Sequence, residues 1–164
     1  MRHPSVSNLE FAEFYAANKD RCLRAAVASG MRSGEAEEAV AEAFARAWAS
    51  WPKVRRAQSP AAWVVRTAVN ANISWWRKRR RETTTDALNE QPATQLDGTT
   101  DLLAAVRRLP PRQREVVVLR YLLDLDTAAT ARSLGIAPGT VAAHLHHAIA
   151  ALREQLGQPE GIQT

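Results

Sequence analysis

Apolar side chains in this chain recur every three or four residues, and no stretch shows apolar–polar alternation. The first spacing lines one face of an α-helix and the second would line one face of a strand. Ala36, Ala39, Val40, Ala43, Phe44, Ala47 and Trp48 make the clearest stripe. Glycine and proline are sparse inside the periodic stretches. The expected fold is all-α: two small helical domains joined by a flexible acidic linker, the second containing a helix-turn-helix.

A first helix is expected from about Ser7, with Glu10 three residues on as a capping box. Phe11, Phe14, Tyr15, Cys22, Ala25 and Ala26 fall on its inner face, which makes Cys22 a core residue rather than a redox sensor. Gly30 ends this helix. The second follows Ser33 and is closed by Pro52. A basic loop, Lys53 to Ser59, leads to a third helix in which Ser59 caps and Pro60 takes the first helical position. Val65, Ala68, Val69, Ile73 and Trp76 form its inner stripe. Further on, Leu102, Leu103, Val106 and Leu109 make a short amphipathic piece. A helix from Pro111 to about Tyr121 follows, then a short one capped by Asp126 that runs through Leu134. Gly135 is placed as a helix stop, Ile136 as a buried turn residue, and Pro138 opens a last helix to about Leu156.

Between the two helical parts, residues 82–100 are polar, acidic and poor in large apolar side chains, so they read as a linker. The expected boundaries are therefore 1–81, 82–100 and 101–157. Charge follows the same division. Residues 53–81 carry nine basic and no acidic side chains, and residues 82–104 carry five acidic and no basic ones. A positive block of this kind points to a phosphate-binding surface, although a merely solvated basic face has the same composition. No run of eighteen apolar residues occurs, so no membrane insertion is expected. The N-terminus lacks the apolar segment of a secretory signal, and the one cysteine can form neither an internal disulfide nor a cysteine metal cage. The expected location is the cytoplasm.

Three surfaces carry candidate function. The stretch from Asp126 to His147 has the parts of a helix-turn-helix: short helix, glycine turn, second helix. Ala128, Ala129, Ala131, Leu134, Ile136, Val141 and Leu145 would pack the pair. Thr140, Ala142, Ala143, His144, His146 and His147 would then line the exposed part of the second helix, which enters the major groove in DNA-binding versions. An ordinary helical hairpin has the same pattern. On the third helix, Trp63, Arg66, Thr67, Asn70, Ser74 and Arg77 lie opposite the apolar stripe. They combine groups that stack on an unpaired base, neutralise phosphate and hydrogen-bond a base edge. Trp63 is equally well read as a core residue. Glu35, Glu38, Glu42 and Arg46 share the polar face of the second helix, which is either solvated or a docking surface for a basic partner. Glu42 and Arg46 are spaced to pair.

These segments together resemble the sigma-70 family of RNA polymerase sigma factors, in its extracytoplasmic-function group. Glu35 to Trp48 is similar to the helix by which sigma factors bind the β′ clamp helices of the polymerase. Pro60 to Asn70, with the run Arg77, Lys78, Arg79, Arg80 and Arg81 after it, looks like the segment that melts and reads the minus-ten element. Leu109 to Tyr121, followed by the helix-turn-helix, resembles the domain that binds the minus-thirty-five element. The resemblance spans about residues 9–81 and 101–156.

The implied function is a non-enzymatic one: binding core RNA polymerase, through the β′ clamp helices and the β flap, and directing initiation at particular promoters. Polymerase contacts fall to Glu35, Glu38, Glu42 and Arg46. Minus-ten contacts fall to Lys53, Arg55, Arg56, Trp63, Arg66, Asn70 and Arg77 to Arg81, with Asn70 on a flipped base and the loop Lys53–Ser59 helping to form its pocket. Minus-thirty-five contacts fall to Arg112, Arg114, Thr140, Ala143, His144 and His147. Anti-sigma factors are common partners in the family.

The recognition helix departs from the family pattern. Ala142, Ala143 and His144 stand where a basic residue, a small hydroxyl and an arginine are usual, His147 replaces an arginine, and Ala137 occupies the place of a capping serine. Fewer cations release fewer counterions, which weakens backbone binding. His144 and His147 have metal-ligand spacing but no third ligand nearby, so no metal or other cofactor is expected. No nucleophile motif, phosphate loop or paired catalytic carboxylates occurs. The alternative function is a helix-turn-helix regulator that acts on duplex DNA without polymerase. The basic face around Trp63 and Asn70 speaks against it.

Overall fold

The computed structural model describes residues 5–82 and 101–157, and among them every regular element is helical. Eight α-helices run in chain order: α1 (Val6–Ala28), α2 (Ser33–Ala49), α3 (Trp51–Val54), α4 (Pro60–Glu82), α5 (Asp101–Arg108), α6 (Pro111–Val117), α7 (Thr127–Leu134) and α8 (Pro138–Leu156). No described helix is long and apolar enough to cross a membrane. The helices divide between two compact units, one holding α1–α4 and the other α5–α8. The expected linker, 82–100, lies outside the described residues except for Glu82.

In the first unit, α2 packs along α4. Ala36, Val40, Ala43, Phe44 and Ala47 of α2 are buried, as are Ala61, Ala62, Val64, Val65 and Ala68 of α4. Small residues dominate both stripes, so the two backbones can approach closely. Cys22, Ala25 and Ala26 of α1 are buried with them, and the Cys22 Sγ lies 3.8 Å from the Ala61 carbonyl oxygen. The thiol is thus a core group, and burial pushes it up to about 12 against a smaller opposing effect of Arg21.

Five details differ from the sequence expectation. Helix α1 starts one residue earlier, because Ser5 Oγ and not Ser7 accepts the Asn8 N–H at 3.2 Å. Glu10 forms no capping box and reaches Arg55 instead, at 3.2 Å. Residues Trp51–Val54 are a helical turn with Trp51 and Val54 buried, where Pro52 and Lys53 were expected to end one helix and begin a loop. Pro52 ends nothing there because it stands in the first turn of that helix, where its missing N–H needs no partner. Trp48, assigned to the α2 stripe, is 44% exposed. It lies at the stripe's edge with its ring 5.1 Å from that of Phe11, in a cluster where Phe14 also packs on Phe44 and Trp51. Val64 is fully buried although the expected stripe omitted it. Ile73 and Trp76, the far end of that stripe, lie outside the described side chains.

In the second unit, α8 packs against α5, α6 and α7. Val106 and Leu109 are buried as expected, but Leu102, at the first turn of α5, is 50% exposed. Helix α6 does not continue as an α-helix to Tyr121. It opens into a π-helical turn, Val118–Leu122, in which the Leu123 N–H reaches the Val118 carbonyl at 3.1 Å. Four consecutive residues across the end of α6 and the start of this turn, Val116 to Leu119, are buried, and within the turn Arg120 Nη1 donates to the Leu125 carbonyl at 2.8 Å. One helical face cannot bury four successive residues, so the sequence pattern alone did not indicate how this run packs.

Candidate polymerase and nucleic-acid interfaces

The helix-turn-helix is built from local signals. Asp126 has extended backbone and its Oδ1 accepts the Ala129 N–H at 2.7 Å, which caps α7. Gly135 ends α7 in the left-handed conformation, φ 67°, and the Ile136 N–H returns to the Ala131 carbonyl at 3.0 Å. These are the bonds of a glycine-terminated helix, and the glycine is required by the positive φ. Ala131, Leu134 and Val141 are buried between the helices, with Thr130 and Ala148. Ala129, Ile136 and Leu145 are half-buried, and Ala128, assigned to the packing set, is exposed. Alanine at 128 sits in the first turn of α7, one position off the face that meets α8.

On the outer face of α8, Thr140, Ala143 and His147 are exposed and His144 is half-buried. Their spacing puts them on a single stripe. His146 is exposed beside His147, with the two rings 5.7 Å apart and tilted edge to face. Ala137 caps α8 with no side-chain bond. The two arginines expected beside this helix on α6 have partners. Arg112 pairs with Glu115 at 3.1 Å, and Arg114 Nη1 donates to the Arg107 carbonyl at 2.9 Å.

In the first unit, Ser59 Oγ accepts the Ala62 N–H at 3.1 Å and so caps α4. From that start Trp63, Arg66 and Thr67 stand half-buried and Asn70 fully outward. Trp63 therefore joins neither the core outright nor the free surface. Its spacing of seven residues puts it on the same face as Asn70, two turns away. Of the basic residues before α4, Lys53 belongs to α3 and is exposed, as are Arg55 and Arg56, with Arg55 held by Glu10. The α4 backbone continues as helix through Arg77 to Arg81, whose side chains lie outside the described set.

On α2, Glu38 and Glu42 are exposed and Glu35 half-buried. Glu42 pairs with Arg46 at 2.9 Å, as its spacing predicts, and Glu35 lies 4.0 Å from Arg32. Exposed pairs like these add a few tenths of a kcal/mol at most. They leave Glu38 and Glu42 as an acidic surface on a rigid helix.

Two family models match the chain in order. Sigma-70 region 2 matches residues 14–82 and sigma-70 region 4 matches residues 99–152. The RNA polymerase sigma-E factor of Streptomyces coelicolor is 36% identical over 153 residues, which cover 90% of this chain and 86% of that protein. The extracytoplasmic-function sigma factor SigL of Mycobacterium tuberculosis is 33% identical over 132 residues, 74% of each chain. Among solved structures, the sigma factor RpoE of Bartonella quintana, in complex with the anti-sigma factor NepR, superposes with a TM-score of 0.77. That match has 22% identity and covers 91% of this chain and 98% of the other. CnrH, in complex with the cytosolic domain of CnrY, superposes with a TM-score of 0.61 at 22% identity, over 89% and 86% of the two chains.

The chain belongs to the sigma-70 family of RNA polymerase sigma factors, in the extracytoplasmic-function group. As such it directs transcription initiation with core RNA polymerase. A region 2 match over most of the first unit favours this function over that of a duplex-DNA regulator working without polymerase.

Proposed function

We propose that residues 1–81 dock on core polymerase and open the minus-ten element, and that residues 101–157 read the minus-thirty-five element through the helix-turn-helix, with 82–100 as the tether. The observation that carries this division is the placement of chemically different outer faces on separate helices. α2 offers the carboxylates Glu38 and Glu42, α4 offers Trp63, Arg66 and Asn70, and α8 offers Thr140, Ala143, His144 and His147. Carboxylates on a rigid helix suit a basic docking partner and repel DNA, so α2 faces the β′ clamp helices. A half-buried aromatic in line with an outward amide suits an unstacked base. In this arrangement Asn70 pairs with a base edge, Arg66 and the run Arg77 to Arg81 hold phosphates, and Lys53, Arg55 and Arg56 border the base pocket. Arg112 can turn from Glu115 to phosphate at small cost, whereas Arg114 acts mainly by bracing the α5–α6 turn.

The protein performs no chemistry of its own and works in the cytoplasm, where the polymerase is. It needs no cofactor. An anti-sigma factor, the partner seen with RpoE and named for it, would compete for the same outer faces. Run-off transcription with purified core polymerase on a genomic promoter library tests the assignment. Core-dependent transcripts that share a two-part upstream motif are expected. Tight duplex binding without polymerase, and no transcripts with it, would overturn the reading.

A further inference from the structure

The charge on the reading face of α8 is unusual in kind. Across Pro138–Leu156 the permanently charged side chains are Arg153 and Glu154, both in the last turn and opposite in sign. The remaining ionisable groups of the helix are His144, His146 and His147, one half-buried and two exposed, all within a single turn on the outer side. Imidazole is the side chain whose ordinary titration falls between pH 5 and 8. The outer face of α8 is therefore neutral when these rings are neutral and carries up to three positive charges when they are not.

The surrounding elements carry fixed charges of both signs. On α5 the charged groups are Asp101, Arg107 and Arg108, and on α6 they are Arg112, Arg114 and Glu115. The π turn adds Arg120 and Tyr121, and α7 adds Arg132, with Asp124 and Asp126 before it. Arg112 and Glu115 neutralise each other, Arg114 is bound to a carbonyl, and Asp126 is engaged as the α7 cap. Among the described residues no carboxylate pairs with any of the three histidines. DNA phosphate is then the anion that can meet these rings.

We propose that the duplex-DNA contact of α8 is proton-linked: binding takes up protons on His144, His146 and His147 and strengthens as pH falls from about 8 to about 5.5. The inference rests on the reading above, in which α8 faces duplex DNA. The sign follows from the phosphates. An anion beside an imidazole favours its charged form, so the bound state holds more protons than the free state, and the gain is lost as pH rises.

The test measures binding of the full-length protein to duplex DNA between pH 5.5 and 8, at several salt concentrations. Wild type, the variant His144→Gln/His146→Gln/His147→Gln, and Ala143→Glu are compared. The chain has four histidines, and the fourth, His3, remains as an internal control. Wild-type affinity should rise at least about tenfold toward low pH, the effect of one added charge-assisted bond to phosphate. Its salt slope should steepen by about 0.9 for each phosphate newly contacted. The triple variant should lose both changes, each judged against its own affinity at pH 8. His146→Gln/His147→Gln, at two exposed positions, serves if the triple variant folds poorly. A pH-independent wild type, or pH dependence kept in the variants, overturns the proposal while a weakened Ala143→Glu leaves the DNA-facing assignment of α8 intact. Unchanged binding by Ala143→Glu at every pH overturns that assignment and the proposal with it.

Discussion

Replacing Ala137 by serine should stabilise the second unit, and the molecule itself contains the comparison that sets the magnitude. Two helices begin with a small residue followed by proline. At Ser59-Pro60 the serine Oγ accepts the N–H of Ala62, the third helical residue, at 3.1 Å. At Ala137-Pro138 the backbone is extended, φ −72° and ψ 148°, but no side-chain oxygen is available. The N–H of Thr140, the third residue there, reaches only the Ala137 carbonyl at 3.0 Å. Serine at 137 adds the missing acceptor without new strain, and since the position lies outside the helix no helix propensity is lost. A cap of this kind contributes about 1 kcal/mol. In a folding unit of this size that raises the melting midpoint by about 4–8 °C. Asp126→Ala, which removes the cap bond of α7, should lower stability by a similar amount. Calorimetry of the full chain gives the shift, and amide exchange at Thr140 gives the local effect, about fivefold slower for 1 kcal/mol. A serine variant no more stable than wild type, with Thr140 exchanging as before, would refute the reasoning.

Other outcomes follow from exposure and burial. Glu38→Lys/Glu42→Lys should co-purify poorly with core polymerase while keeping its helical circular dichroism, because both side chains are exposed. Asn70→Ala should relax base preference at one promoter position, a contact worth about 1–3 kcal/mol of discrimination, with no change in melting temperature. Trp63→Ala should do both, slowing permanganate-detected promoter opening and lowering the melting midpoint, since the ring is half-buried. Cys22 should resist alkylation in the native protein. Its thiol pKa is about 12 when folded, above the value of about 8.5 in an unfolded chain. The unfolded state therefore sheds the proton first, and wild-type stability should fall relative to Cys22→Ala as pH rises from about 8.5, by about 2 kcal/mol at pH 10.

Local chemistry made most of the fold legible. Ser59, Asp126, Gly135 and Pro138 punctuate helices where their side chains or backbone freedom require, and each does so in the structure. Periodicity was less informative where packing is not one-sided. Val116 to Leu119 are buried in succession because the chain opens into a π turn, and no stripe rule foresees a change of helical period. Trp48 is more exposed than its stripe implied for a related reason. A short turn, α3, redirects the chain after Ser50, so the aromatic that follows α2 is buried and the one that ends its stripe is half out. Side-chain partners are also non-local. Glu10 and Arg55 are 45 positions apart and neither sequence context indicates the other. That pairing matters for the surface reading, because Arg55 was assigned to DNA alone.

The two faces assigned to DNA have opposite electrostatic character, and this bears on how they divide the work. From Arg66 to Arg81 the sequence of α4 holds six cations and no carboxylate, whereas α8 balances Arg153 against Glu154 and adds only histidines. Affinity for a polyanion grows with each cation that displaces a counterion, so on the proposed assignment the first unit would supply most of the permanent, salt-dependent attraction to DNA. A neutral α8 contributes through shape and through the hydroxyl of Thr140 and the imidazole nitrogens, which can donate or accept at a base edge. Such contacts form only on duplex held in the right register. The α4 cations act at longer range, limited by a Debye length of about 8 Å at physiological ionic strength. On the proposed assignment, the first unit would capture the DNA and the second would discriminate among captured sites. A proton-dependent charge on α8 would then shift that balance toward simple affinity as pH falls, loosening discrimination at the minus-thirty-five element just as total binding increases.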